Sequence, residues 1–85
     1  MVFFVLTRDG FEKIKAFLDK PSVALWVNKD VLTAAELVAL HSSGVNVTNF
    51  TIPVALKRDD IDDALATIVE HHPDTSIWVE AKWPI

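Results

Sequence analysis

The residues able to do chemistry concentrate in two short stretches of like pattern, Leu6-Thr7-Arg8-Asp9-Gly10-Phe11 and Leu56-Lys57-Arg58-Asp59-Asp60-Ile61. Each couples a guanidinium to a carboxylate shortly before a large apolar residue. Two arginines beside helix starts would suit an anion, because unpaired N–H groups and the helix dipole favour negative charge there. Asn28 and Lys29, at the end of another strand-like run, would join Arg8, Asp9, Arg58 and Asp59 in a small-ligand site if these turns share one edge of a sheet. A plainer reading covers the carboxylates: Asp9 can cap a helix with Glu12 three residues on, and Asp59 can do the same job at the second turn. Capping leaves both arginines unexplained. Gly10 alone does not make a phosphate-binding loop.

Other groups carry weaker signals. Asp59, Asp60, Asp62 and Asp63 crowd four carboxylates into five residues and by themselves equal the net charge of −4. They open a helical pattern, where acidic residues complement the dipole, so they read as an electrostatic partner surface in preference to a metal site. His71 and His72 are adjacent and would point apart on a helix; with His41 they read as end-of-helix residues. The one serine pair, Ser42-Ser43, is also a helix end, and no nucleophile–base pair is visible. The chain has no cysteine, which removes disulfides, thiolate catalysis and Cys-based zinc sites. No motif asks for a cofactor or a metal, and no catalytic residue can be named.

Strands and helices alternate along the chain. Residues 2–7 (VFFVLT) and 22–27 (SVALWV) are continuous apolar runs, the pattern of strands buried on both faces. Residues 45–52 begin with Val45 and Val47 and continue with Phe50 and Ile52, a slip of phase near Asn49 that predicts a bulge. Residues 76–81 form a fourth strand, half exposed at an edge because Glu80 and Lys82 share a face. Helices are predicted over 10–20, stopped by Pro21; over 33–43, opened by the capping box Thr33/Glu36 and closed by Gly44; and over 60–72, where Ile61, Ala64, Leu65, Ile68 and Val69 make an apolar stripe.

The order βαβαβαβ in 85 residues predicts one small α/β domain, a four-stranded, mostly parallel sheet with three helices. Two similar βαβ halves, 2–27 and 45–81, are joined by helix 33–43. Each carries Trp-Val five and six positions after a proline (Pro21, Trp26-Val27; Pro73, Trp78-Val79). The favoured strand order is 2-1-3-4, with a pseudo-twofold axis between strands 1 and 3, helix 1 on one face and helices 2 and 3 on the other. The rival is a ferredoxin-like α+β layout with an inserted helix.

Apolar residues make up 51% of the chain, generous for so small a domain. One helix covering one face would leave apolar surface, and Phe11, Phe17, Trp83 and Ile85 would meet a second copy in a homodimer. The absence of a basic stripe argues against nucleic acid. The five-residue apolar start after Met1 is neither a signal peptide nor a membrane span, so the expected setting is cytoplasmic. Three functions are compatible: an interaction or regulatory module acting through an acidic face, which is favoured; a small anion-binding domain; and an enzyme, the latter two using the edge of strands 1 and 3.

Overall fold

In the computed structural model, which describes residues 1–80, the chain forms four strands and three helices in strict alternation. They are β1 (Val2–Val5), α1 (Arg8–Ile14, prolonged by a 3-10 turn at Lys15–Phe17), β2 (Ala24–Val27), α2 (Ala34–Ser42), β3 (Asn46–Asn49), α3 (Arg58–His71) and β4 (Ile77–Val79). All three strand pairings are parallel. The α/β class, the four-stranded parallel sheet and the three helices are therefore as the sequence predicts, and the ferredoxin-like rival, which needs antiparallel pairs, is set aside.

The strands run β3-β2-β1-β4. This differs from the favoured order 2-1-3-4 in one respect: β4, not β3, lies beside β1, while β3 pairs with β2. Burial gives the reason. Every residue of β1 and β2 is buried, as the runs VFFV and ALWV require of strands covered on both faces. Strand β3 is Asn-Val-Thr-Asn, with Val47 its one buried residue, and polar side chains on both sides suit an edge. A central β3 would have placed Asn46 and Thr48 under a helix.

Crossover handedness then fixes the layers. The chain moves one way through β1, β2 and β3, so α1 and α2 share a face; the return from β3 to β4 puts α3 on the other. Phe3, Val5, Leu25, Val27 and Val47 pack against Phe11, Ile14 and Leu18 of the first helical region, with Leu37 and Leu40 of α2 beside them. Val2, Phe4, Ala24 and Trp26 pack against Ile61, Ala64 and Ile68 of α3. The expected sidedness, with helices 2 and 3 together, is thus corrected. So is the pseudo-twofold axis, since strands 1 and 3 are not neighbours. The two Trp-Val pairs are also inequivalent: Trp26 lies in register with Phe4 and faces α3, whereas Trp78 lies in register with Phe3 and faces α1.

Local signals explain most element ends. Thr33 and Glu36 form the capping box. Gly44, at φ +84°, closes α2: its N–H bonds to the His41 carbonyl and that of Val45 to Leu40, a Schellman pair that needs the left-handed conformation. No bulge forms at Asn49; the strand simply stops. Phe50 then swings onto Phe4 and Trp26, with ring centroids 5.7 and 5.5 Å away, which accounts for the slip of phase.

Candidate functional site

The carboxyl edge of the sheet is where an open α/β fold receives ligands, at the point where strand order reverses. In this order that point lies between β1 and β4. It is filled from within. The chain leaving β4 continues as Glu80, whose N–H donates to the Phe4 carbonyl at 3.1 Å, and the side chain turns over the end of β1. Glu80 Oε1 accepts the backbone N–H of Leu6 at 2.7 Å and of Thr7 at 2.8 Å, and Oε2 accepts the Thr7 hydroxyl. The residue is only 3% exposed. The expectation that Glu80 gives β4 a polar, half-exposed face is corrected: unpaired N–H groups at the end of a buried strand need an acceptor, and Glu80 supplies it. Lys82, Trp83 and Ile85 lie outside the described residues.

Glu80 also explains Gly10. A Cβ at that position would overlap the Glu80 carboxylate, so any side chain would evict it. Thr7 completes the arrangement, its hydroxyl donating to Glu80 while its Oγ1 accepts the Gly10 N–H at 3.3 Å. The N-cap of α1 is therefore Thr7, not Asp9. Asp9 sits in the first turn, exposed, where its charge complements the dipole.

Arg8 reaches towards the turn between β2 and α2, where its Nη1 donates to the Val31 carbonyl at 3.4 Å. Its guanidinium pairs with Glu36 of α2 at 2.8 Å and with Glu12 at 3.1 Å, and lies 5.2 Å from the Phe11 ring centroid. The hydrogen bond to Arg8, then that to the Thr33 N–H, holds the Glu36 carboxyl at about 2. Glu12 is lowered by Lys15 first and Arg8 second, and Arg8 is raised chiefly by Glu36. All are exposed; Arg8–Glu36 ties α1 to α2, while Glu12 is bridged to Arg8 and Lys15 within the first helical region.

Asn28 is a clamp, not an open ligand contact. Buried at the end of β2, it donates from Nδ2 to the carbonyls of Leu6 and Val54 at 3.2 and 2.9 Å, and its Oδ1 accepts the N–H of Lys29 and of Val54 at 2.8 Å each. All four hydrogen-bonding positions of the amide are used. Lys29 is exposed and pairs with Asp30 at 3.0 Å. Arg58 and Asp59 are exposed at the start of α3. Arg8 and Arg58 begin helices on opposite faces of the sheet, and no hydrogen bond or ion pair joins them among the described residues. Arg8 stays near Asn28 and Lys29, its Nη1 lying 3.4 Å from the Val31 carbonyl in the turn after β2, while Arg58 and Asp59 start a helix on the other face. Glu80 and Thr7, which hold the edge, were missed; the nearest sequence signal was a lone glycine at the third helical position of the first turn.

The remaining candidates resolve locally. His71 Nδ1 lies 2.9 Å from the Thr67 carbonyl, and the rings of His71 and His72 pack on Trp26 at 5.4 and 6.0 Å. Among the described residues no three His, Asp or Glu side chains come together to hold a metal. Phe11 is 6% exposed and belongs to the core, so it cannot serve as an interface residue: its helix faces the sheet at that position. Phe17 is half exposed and stacks on Phe3. A cavity of about 790 Å³ opens at the amino edge among Lys15, Leu18, Lys20, Leu40, Val45 and His72, with Asp19 adding the opposite charge. It lies across the sheet from the edge that α/β folds use. A smaller groove of about 380 Å³ runs between α3 and the segment after β3, lined by Phe50, Ile52, Pro53, Val54, Asp60, Asp63, Ala64 and Thr67.

No helix among the described residues is long and apolar enough to cross a membrane. Comparison with protein-family models, curated proteins and solved structures gives no match.

Proposed function

We propose that this domain is a non-enzymatic protein-interaction module, working in the cytoplasm. The observation that carries the reading is Glu80: an internal carboxylate fills the seat that an anionic ligand would need at the strand-order reversal, and Gly10 is kept bare to admit it. Around that filled edge the polar side chains are consumed by structural bonds. The exposed carboxylates Asp59, Asp62 and Asp63, and the exposed apolar residues Ile52 and Leu56, lie instead along the start of α3 and the segment before it. Self-association belongs to the same reading, with Phe17 as its remaining apolar contact.

Titration of the ¹⁵N-labelled chain with inorganic phosphate tests the reading against an anion-binding domain or an enzyme on the same edge. The expected outcome is no saturable shift at the amides of residues 6–10 or at Arg58. A saturable shift there would sink the module in favour of the anion site. Light scattering over a concentration range tests self-association; a mass that stays that of one chain removes it.

A further inference from the structure

The groove beside α3 combines three properties. It has an apolar floor and rim: Phe50 and Val54 reach into the core packing, Ala64 faces inward, and Ile52 is 76% exposed at the lip. Leaving Ile52 in water has no structural return, because the residue packs in neither core cluster. One wall is acidic. Asp60 and Asp63, three residues apart on α3, share the flank that lines the groove. No Lys or Arg lines it; Lys57, at the N-cap of α3, and Arg58, its first residue, are not part of the lining. Neither Asp60 nor Asp63 forms an ion pair among the described residues.

The groove is also preformed. The Asn28 amide holds both the N–H and the carbonyl of Val54, and Asp60 Oδ2 accepts the next N–H, that of Ala55, at 3.3 Å. The segment that builds one wall is thereby anchored to β2 on one side and to α3 on the other. A wall already held in place spares a partner the cost of ordering it. At about 380 Å³ the groove is at the small end of ligand cavities and open to solvent, which suits side chains of a macromolecule better than a whole small ligand.

We propose that this groove docks a protein segment whose apolar side chains are flanked by Lys or Arg. The proposal rests on the interaction reading above and names its surface and partner chemistry. Apolar anchors enter between Ile52 and Ala64, and the basic residues lie along Asp60 and Asp63, with Asp59 and Asp62 adding to the field that steers the approach. The same carboxylates repel nucleic-acid phosphates and anionic lipid headgroups.

The test uses the ¹⁵N-labelled full chain and three synthetic peptides: an amphipathic Leu/Lys helix, a version with Gln in place of Leu, and a version with Glu in place of Lys. Saturable amide shifts confined to residues 50–54 and 60–67, given by the Leu/Lys peptide alone and weakened by salt, are expected. Asp63→Asn should lower its affinity about two- to fivefold, the range of an exposed charge pair, and Ile52→Ser about tenfold through lost apolar burial. Both positions are exposed, so unchanged circular dichroism should accompany the loss. Equal binding of the Gln version would overturn the proposal, since bare charge attraction would then suffice. Shifts on another surface would overturn the groove but leave the interaction reading standing. If the Leu/Lys peptide fails to bind and phosphate shifts residues 6–10, both fall.

Discussion

The turn from β1 into α1 and the turn into α3 share Leu-polar-Arg-Asp-x-apolar fifty residues apart, yet the fold employs them differently. In the first, Leu6 is buried, Thr7 caps the helix, Arg8 is bridged to α2 and the third helical position is a bare glycine under the Glu80 carboxylate. In the second, Leu56 is 38% exposed, Lys57 stands at the N-cap without a side-chain hydrogen bond, and Arg58 makes no ion pair among the described residues. Asp60, in the place of Gly10, accepts from Ala55 in its own loop. Only the last apolar residue does the same work in both, Phe11 and Ile61 being core. The difference follows from neighbours: β1 is central and its end is closed by the segment after β4, whereas α3 is reached by a loop of eight residues from an edge strand. A pattern that serves rigidity in a central position is free to serve contact at the periphery.

The two turns differ most at the third helical position. In an exposed helix Gly→Ala gains up to about 1 kcal/mol. At Gly10 the overlap with Glu80 reverses the sign, and Gly10→Ala should cost about 3 kcal/mol by urea denaturation, through overpacking and lost hydrogen bonds to a carboxylate. In a double-mutant cycle, Gly10→Ala should add little to Glu80→Ala, because the clash has gone. Asp60→Ala should change stability by less than about 1 kcal/mol. Equal effects at Gly10 and Asp60 would erase the distinction between the two turns.

The second turn can be given the cap it lacks. Lys57 already has extended backbone dihedrals, φ −129° and ψ 147°, which an N-cap requires. Lys57→Ser should therefore stabilise the domain by about 1 kcal/mol, whereas Thr7→Ser in the first turn should be nearly neutral. No gain at Lys57 would mean that the loop before α3 holds the backbone against such a bond.

The smallest effect concerns the Arg8–Glu36 bridge. The Glu36 carboxyl lies at about 2 against an ordinary 4.5. Its folded value is depressed, so its contribution to stability is present above about pH 4.5 and is lost as pH falls towards 2. Glu36→Gln should flatten that acid limb, and an NMR titration of the Glu36 side chain should show the depressed midpoint. Arg8→Ala should return the midpoint towards the ordinary value with little change in neutral-pH stability, as expected of an exposed pair. A midpoint near 4.5 in the intact protein would show that Arg8 is as unbound as Arg58.

How far each feature was legible depends on the reach of the interaction that makes it. The Thr33/Glu36 box and the Gly44 terminator span a few residues and were readable as written. The Thr7 cap lies just as near in sequence, but the Asp9/Glu12 spacing masked it, since both candidates satisfy a capping pattern. The edge role of β3 was present in Asn46, Thr48 and Asn49 and was obscured by the apolar Phe50 and Ile52, which belong to the following segment. The placing of Arg8 beside Arg58 rested on strands 1 and 3 being neighbours, and the strand order keeps them apart.

By itself, then, the chain determines the alternation of strands and helices, the parallel class of the sheet, most helix ends and the two buried runs at its centre, because each rests on periodicity or on bonds among residues a few positions apart. Tertiary structure alone decides the strand order, the side on which each helix lies, and the partner of Glu80. That carboxylate meets the Leu6 N–H across 74 positions of sequence, and only the choice of β4 as neighbour of β1 brings them together. The bare Gly10 and the filled carboxyl edge both follow from that one adjacency.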